Sequence, residues 1–154
     1  MTLPNNQRCR GDRGQVGGME VLPFGFLVFV SLTLLLVNVW GVIDAKFAVT
    51  TAAREATRAF VESTTETEAT RTATQRARET LDAYGRGDDR ATVHSPVLAD
   101  SFGRCARVTV RVTYDVPAIA IPFLGGFGSA TTVESSHTEV VDPFRNGLDG
   151  VAQC

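Results

Sequence analysis

With 154 residues the chain has room for one small domain and not for two. Its formal net charge of −2 and its mean hydropathy near zero are those of an ordinary globular chain, and no basic patch with interleaved aromatics marks a nucleic-acid binder. Those averages hide two chemically distinct parts: residues 21–43 are 23 uncharged positions, mostly Leu, Val and Phe, whereas residues 44–154 hold 15 acidic and 12 basic side chains.

Residues 1–18 are polar, rich in Gly and Arg, and read as unstructured; with Met19 and Glu20 they make a basic cytoplasmic leader, residues 1–20. Glu20 is the last charge before the apolar run. Twenty-three helical residues reach roughly 34 Å, slightly more than the roughly 30 Å hydrocarbon core of a bilayer. A cleaved secretory signal has an apolar region of only about 7–15 residues, so residues 21–43 read as a retained single-pass transmembrane helix. A buried core helix is the rival, but the 111 residues that follow cannot wrap such a helix on all sides. Pro23 fits the first turn, where its missing N–H is not needed. Arg8, Arg10 and Arg13 before the span balance Lys46, Arg54 and Arg58 after it. The first group is denser and the second is diluted by Asp44, Glu55 and Glu62, which places the N-terminus in the cytoplasm and the C-terminal part outside.

Helix formers continue past Asp44, with no Gly or Pro before Gly85. Ala45, Val49, Ala52, Ala53, Ala56 and Phe60 recur at helical spacing on one face, so residues 44–84 read as an amphipathic helical stalk. Its first segment runs to about Glu62, roughly 28 Å beyond the bilayer. A break falls near 63–66, where Ser63 and Glu66 are spaced as a capping box. A second stripe follows at Ala69, Ala73, Ala77, Leu81 and Tyr84, and GRGDD (85–89) ends it. The stalk face Ala45, Val49, Ala52, Ala56 and Phe60 is a candidate for packing against neighbouring helices, or for covering the chain's own sheet. Gly25, Ser31, Thr33 and Gly41 would allow close helix approach within the span, and Asn38 would hydrogen-bond a neighbouring helix or an internal carbonyl.

From Arg90 the period changes, and residues 90–154 read as a small β domain. Val108, Val110, Val112, Tyr114 and Val116 alternate with polar residues, the pattern of a half-buried strand. Residues 129–141 are Thr- and Val-rich with poor alternation and suit an edge position, while TVHSPV (92–97) supplies a short third strand. Between the two longer strands lies PAIAIPFLGGFG (117–128), a long hairpin connection. Its Ile119, Ile121, Phe123, Leu124 and Phe127 would contact a partner or membrane, or fold onto the chain's own core. The fold class is therefore α+β, a long N-terminal helix with a small antiparallel sheet on its C-terminal side.

Cysteine usage fits the orientation. Cys9 precedes the span, while Cys105 and Cys154 follow it; they either stay unpaired or form one bridge closing a loop of about 50 residues, worth about 4 kcal/mol in the chain-entropy model. No metal-ligand spacing occurs. His137 and Glu139, two apart on a strand, could share a metal but read better as solvated residues. His94, Ser95 and Asp100 make no triad on sequence alone, and no G-x-S-x-G elbow is present. Arg-Gly-Asp occurs at 10–12 and 86–88, in glycine-rich turns that produce it readily. The expectation is a protein without catalysis, cofactor, metal or small-molecule substrate.

Two stretches bring a family into view. RGQVGGMEV leads into the apolar span, and AVTTAAREATRAF (48–60) follows it. In both, the chain resembles the TadE-like minor pilins (pseudopilins) of tight-adherence, or Flp, pilus systems. There an R-G-x-x-x-x-E-F-like stretch opens a hydrophobic helix and an A-A-R-E-x-x-R-A segment follows. Ala52, Ala53, Arg54, Glu55, Arg58 and Ala59 fit that second pattern, and the resemblance covers roughly residues 11–63. It implies a pilin-like fold, a minor pilin acting in pilus or secretion-apparatus assembly, and membrane lipid, other pilins or pilus-assembly proteins and prepilin peptidase as partners. It further implies cleavage after a glycine, with Gly14 favoured and Gly18 the other candidate. Glu20 would then pair with the new α-amino group of an adjacent subunit, offsetting an insertion cost of roughly 2.5–3.5 kcal/mol. The chain departs from the family in register, because a fifth-position Glu would need a cut after Gln15. The runner-up function is an anchored surface domain that binds a cell-envelope partner without joining a filament. A membrane-tethered hydrolase or metal protein is the third class, and no residue set supports it.

Overall fold

The structure is a computed structural model describing residues 21–121, 124–128, 131–150 and 153–154, with residues 119–121 and 125–127 described by backbone alone. Its architecture is α+β. Two helices, α1 (Val21–Val61) and α2 (Glu66–Ala83), precede strands β1 (Ala91–Val93), β2 (Val97–Leu98), β3 (Arg107–Val116), β4 (Ile119–Ile121), β5 (Gly125–Phe127) and β6 (Thr131–Val140). The backbone divides after Leu36 into two units.

The first unit, over its described residues, is the opening of α1. Residues 21–36 are uncharged and every one of them is exposed. Pro23 sits in the first turn, where the helix has no use for its N–H.

The second unit begins at Val37 and is built on the rest of α1. Ala45, Ala48, Val49, Ala52, Ala53, Ala56, Thr57 and Phe60 are fully or almost fully buried, which is one stripe of a 3.6-residue period. On α2 the same period buries Ala69, Ala73, Ala77 and Leu81. Both stripes join the inner residues of β3, namely Val108, Val110, Val112, Tyr114 and Val116, in a single core. Each buried valine contributes roughly 1.5–3 kcal/mol of transfer free energy. The alanines fill that core with little bulk, leaving the larger share of its apolar volume to Phe60, Leu81 and the valines of β3.

β3 is the centre of the sheet. β6 pairs with it along its whole length, from Arg107↔Val140 to Val116↔Thr131, so β1 and β2 share its other edge end to end. Val93 stands opposite Val112 and Val97 opposite Thr109, which sets residues 94–96 against only 110 and 111. That extra residue is a bulge, and Pro96 lies in it, where no ladder N–H is required. The single short strand expected over 92–97 is thus two strands interrupted by the bulge. β6 pairs with β3 alone among the described strands, the edge position its weak alternation suggests. The reason is visible in its inward residues: after Val133 they are Ser135, His137 and Glu139, all half-buried.

Two further expectations need correction. The second helix is not capped by Ser63 and Glu66. Thr65 is the N-cap, its side chain accepting from the Glu68 N–H at 3.4 Å, while Ser63 Oγ donates back to the Ala59 carbonyl at 2.8 Å. Thr65 and Glu68 have the same three-residue spacing, moved two places on, because α1 ends at Val61 and the chain needs those places to turn. Tyr84, expected in the second stripe, is exposed and forms the C-cap. Arg86 N–H then bonds the Leu81 carbonyl at 2.8 Å and Gly85 N–H bonds that of Asp82 at 2.9 Å, a Schellman closure with Gly85 at φ +66°.

The C-terminal segment ties these pieces together. Arg145 donates through its two terminal nitrogens to the Val61 and Glu62 carbonyls, occupying acceptors that the end of α1 leaves open. Cys105 and Cys154 form a disulfide, with an S–S distance of 2.05 Å and a sequence separation of 49. PAIAIPFLGGFG, expected as a long hairpin connection, contains the antiparallel ribbon β4–β5, with Ile119↔Phe127 and Ile121↔Gly125 paired.

Candidate functional site

Three features carry the functional argument: the apolar length of α1, the polar junction below it, and the ribbon β4–β5. α1 is the one helix among the described residues long and apolar enough to cross a membrane. None of its most apolar window is buried, so that window is not the core helix of a soluble fold. Phe24, Phe29 and Leu36 are each more than 60% exposed. A bare apolar cylinder of this kind has no stable place in water. Gly25 and Gly41 have open space where a Cβ would stand. Thr33 Oγ1 donates to the Phe29 carbonyl at 2.8 Å, so its hydroxyl is satisfied within the helix.

The junction starts at Asp44, the first charge after the run. Arg86 Nη2 donates to Asp44 Oδ2 at 2.9 Å and to the Gly41 carbonyl at 3.2 Å. The guanidinium carbon lies 5.0 Å from the centroid of the Tyr114 ring. Tyr114 in turn donates to Asp88 Oδ2 at 3.3 Å. Burial works to lower the Arg86 pKa, but hydrogen bonds and charge interactions with Asp44 and Tyr114 outweigh it, and the net direction is upward. A cation is thus fixed at the foot of the apolar segment, neutralising its first carboxylate. Arg86 and Asp88 belong to the second Arg-Gly-Asp triplet, and both are engaged inside the unit. Gly87 between them approaches Asp82 so closely that a Cβ would fall 1.4 Å from Oδ1.

The stalk face takes the second of its two expected roles, covering the chain's own sheet. Ala45, Val49, Ala52, Ala56 and Phe60 face the chain's own sheet and are at most 1% exposed, so they offer no surface to a neighbouring helix. The amphipathic segments within residues 44–84 each give a buried stripe to the domain core. The motif segment divides accordingly: Ala52 and Ala53 are buried, Ala59 is half-buried, and Arg54, Glu55 and Arg58 are exposed. Arg58 Nε donates to Glu62 Oε1 at 3.0 Å, and this bond, with the charges of Glu62 and Glu55, raises the Arg58 pKa.

Of the other candidates, Gly14, Gly18 and Glu20 lie outside the described residues, as does Phe123. The side chains of Ile119, Ile121 and Phe127 are likewise outside the description, while Leu124 is 72% exposed. His137 Nε2 lies 3.3 Å from Glu139 Oε1, and both are half-buried rather than solvated. His94 Nε2 lies 3.3 Å from Thr113 Oγ1. Among the described residues no group of three or more His, Cys, Asp and Glu side chains could hold a metal ion.

Arg86 and Arg145 are the residues sequence reading missed. Each reaches a partner more than 40 residues away, and no local spacing announces such a contact. Compared with protein-family models, with curated proteins and with solved structures, the chain matches none.

Proposed function

We propose that this chain is a membrane-anchored minor pilin of the TadE-like kind, held in the bilayer by residues 21–43 with its C-terminal unit outside the cytoplasm. The reading rests chiefly on α1, in which one unbroken helix of 41 residues is first an exposed apolar segment and then the spine of a folded domain. Arg54, Glu55 and Arg58 are exposed on that helix and available to a neighbouring subunit, and the glycines at 25 and 41 leave room for a close helix. Glu20 would pair with the α-amino group of an adjacent subunit after cleavage, and membrane lipid, other pilins and prepilin peptidase are the partners this implies.

The test is the mature N-terminus, mapped by mass spectrometry on protein from its own host. A first residue at 15, 18 or 19 is expected; an intact Met1 contradicts processing. Glu20→Ala should then abolish assembly while leaving membrane insertion unchanged.

One observation favours the second reading, an anchored surface domain that binds an envelope partner and joins no filament. The alanine face that would pack between subunits is consumed by the chain's own sheet. Assembly would then depend on the span and the exposed charged face alone.

A further inference from the structure

We infer that one end of the C-terminal unit, formed by Trp40, Ile43 and Phe47 of α1 and by Leu124 on the β4–β5 ribbon, is a lipid-contacting surface that seats the sheet on the bilayer interface; this rests on the proposed membrane span.

Register sets residues 37–47 and the ribbon at the same end of the unit. Lys46 Nζ donates to the Glu134 carbonyl, and Thr57 Oγ1 donates to that of His137 at 3.3 Å. Residues nearer the start of β6 therefore lie beside residues nearer the start of the buried stripe of α1. At that end the β3–β6 ladder closes with Val116↔Thr131, and β4 and β5 follow from it. The ribbon and residues 37–47 accordingly share one end of the unit.

That end is apolar where it is open. Trp40, Ile43 and Phe47, spaced three and four apart, lie off the buried stripe of α1, and they are 70%, 42% and 64% exposed. Val42, Ile43, Lys46, Phe47, Thr50 and Val133 line an apolar hollow of about 400 Å³ there. Residues 117–128 hold no ionisable side chain, and Leu124 is 72% exposed. Several charges at this end have partners within the chain: Asp44 has Arg86, Lys46 the Glu134 carbonyl, Glu134 the Arg111 guanidinium at 3.2 Å, and Asp115 the Thr132 hydroxyl at 2.5 Å.

Lipid is the occupant because the stripe continues the apolar run of α1 along the same helix. On this face the apolar character lasts to Phe47, one turn beyond Asp44, before Thr50, Thr51 and Arg54 take over. A tryptophan with apolar neighbours at the end of a span is the composition of the headgroup boundary. A protein partner would leave that continuity without a reason.

Trp40 is the only tryptophan, which makes the test direct. The full chain is reconstituted in phosphatidylcholine–phosphatidylglycerol vesicles, with and without lipids brominated near the headgroup. Native Trp40 reports whether the span is in lipid. Leu124→Trp and Phe47→Trp, each in a Trp40→Phe background, report on the proposed surface. Both should emit at shorter wavelength and lose roughly half their intensity in brominated vesicles, as side chains about 5–10 Å into the boundary would. Quenching of Trp40 with water-like, unquenched emission from both introduced tryptophans overturns the inference and leaves the anchor standing. Loss of quenching at Trp40 as well overturns both. Introduced tryptophans shielded from aqueous iodide, untouched by brominated lipid and dependent on the protein-to-lipid ratio would show a second copy on this face, and would equally overturn it.

Discussion

Within α1, residues 21–36 and residues 45–60 obey opposite rules. The first stretch is the more apolar and is entirely exposed; the second is punctuated by Lys46, Arg54, Glu55 and Arg58 and buries eight residues completely or nearly so. In a protein folding in water alone, hydrophobicity and burial rise together along a helix. Here they separate at the boundary near Asp44, as the proposed membrane span requires, with a different solvent around each stretch. Below that boundary burial is supplied by the chain's own sheet. Above it, the described residues bury none of the most apolar window.

Substitutions that treat the two stretches alike should therefore give unlike results. Phe60 is 1% exposed and meets Phe102 edge to face at 5.8 Å between centroids, so Phe60→Ala should cost about 3–5 kcal/mol in denaturant unfolding of the detergent-solubilised chain. Phe29→Ala, at 67% exposure, should stay within about 0.5 kcal/mol. A comparable loss at both positions would erase the contrast.

Overpacking sharpens it. Ala52→Leu forces bulk between α1 and the sheet and should cost about 1–3 kcal/mol, whereas Gly25→Leu, with open space around it, should leave unfolding unchanged.

The boundary itself has a smaller effect. Arg86→Ala removes the bond to Asp44 and the cation over Tyr114, with an expected loss of about 1–2 kcal/mol, because charge-assisted bonds are discounted when a partner is partly exposed. The folded-state pKa of Arg86 is raised, so its contribution is fully present below the ordinary guanidinium range and disappears only as pH climbs through the higher folded value. Between pH 5 and 9 the Arg86→Ala difference should therefore show no slope arising from the guanidinium. The smallest effect is at the start of α2: Thr65→Ala should cost about 1 kcal/mol as an N-cap, and Glu66→Ala, the residue expected in the box with Ser63, less than half of that.

Much of this fold was legible because its periods are strong. Ala45, Val49, Ala52, Ala53, Ala56 and Phe60 announced a helix face, and Val108 to Val116 announced a half-buried strand. What covers that face was not legible, since an alanine stripe packs equally well on a sheet or on a neighbouring subunit. The cap was misplaced because Ser63 and Thr65 each have an acidic residue three places on. The choice between them depends on where α1 stops, and Arg145 grips that end from 84 residues away. The ribbon within 117–128 was missed because Pro and Gly signal a turn more loudly than three-residue strands signal pairing. Of the candidate functional residues, those in the leader belong to a part of the chain outside the described structure.

Alkaline carbonate extraction of membranes from cells making the full chain tests the two-solvent claim most directly, with the mass of the recovered protein confirming that residues 21–43 are present. The account predicts that this protein stays in the pellet and leaves it only with detergent. Recovery of the same species in the carbonate supernatant would contradict it.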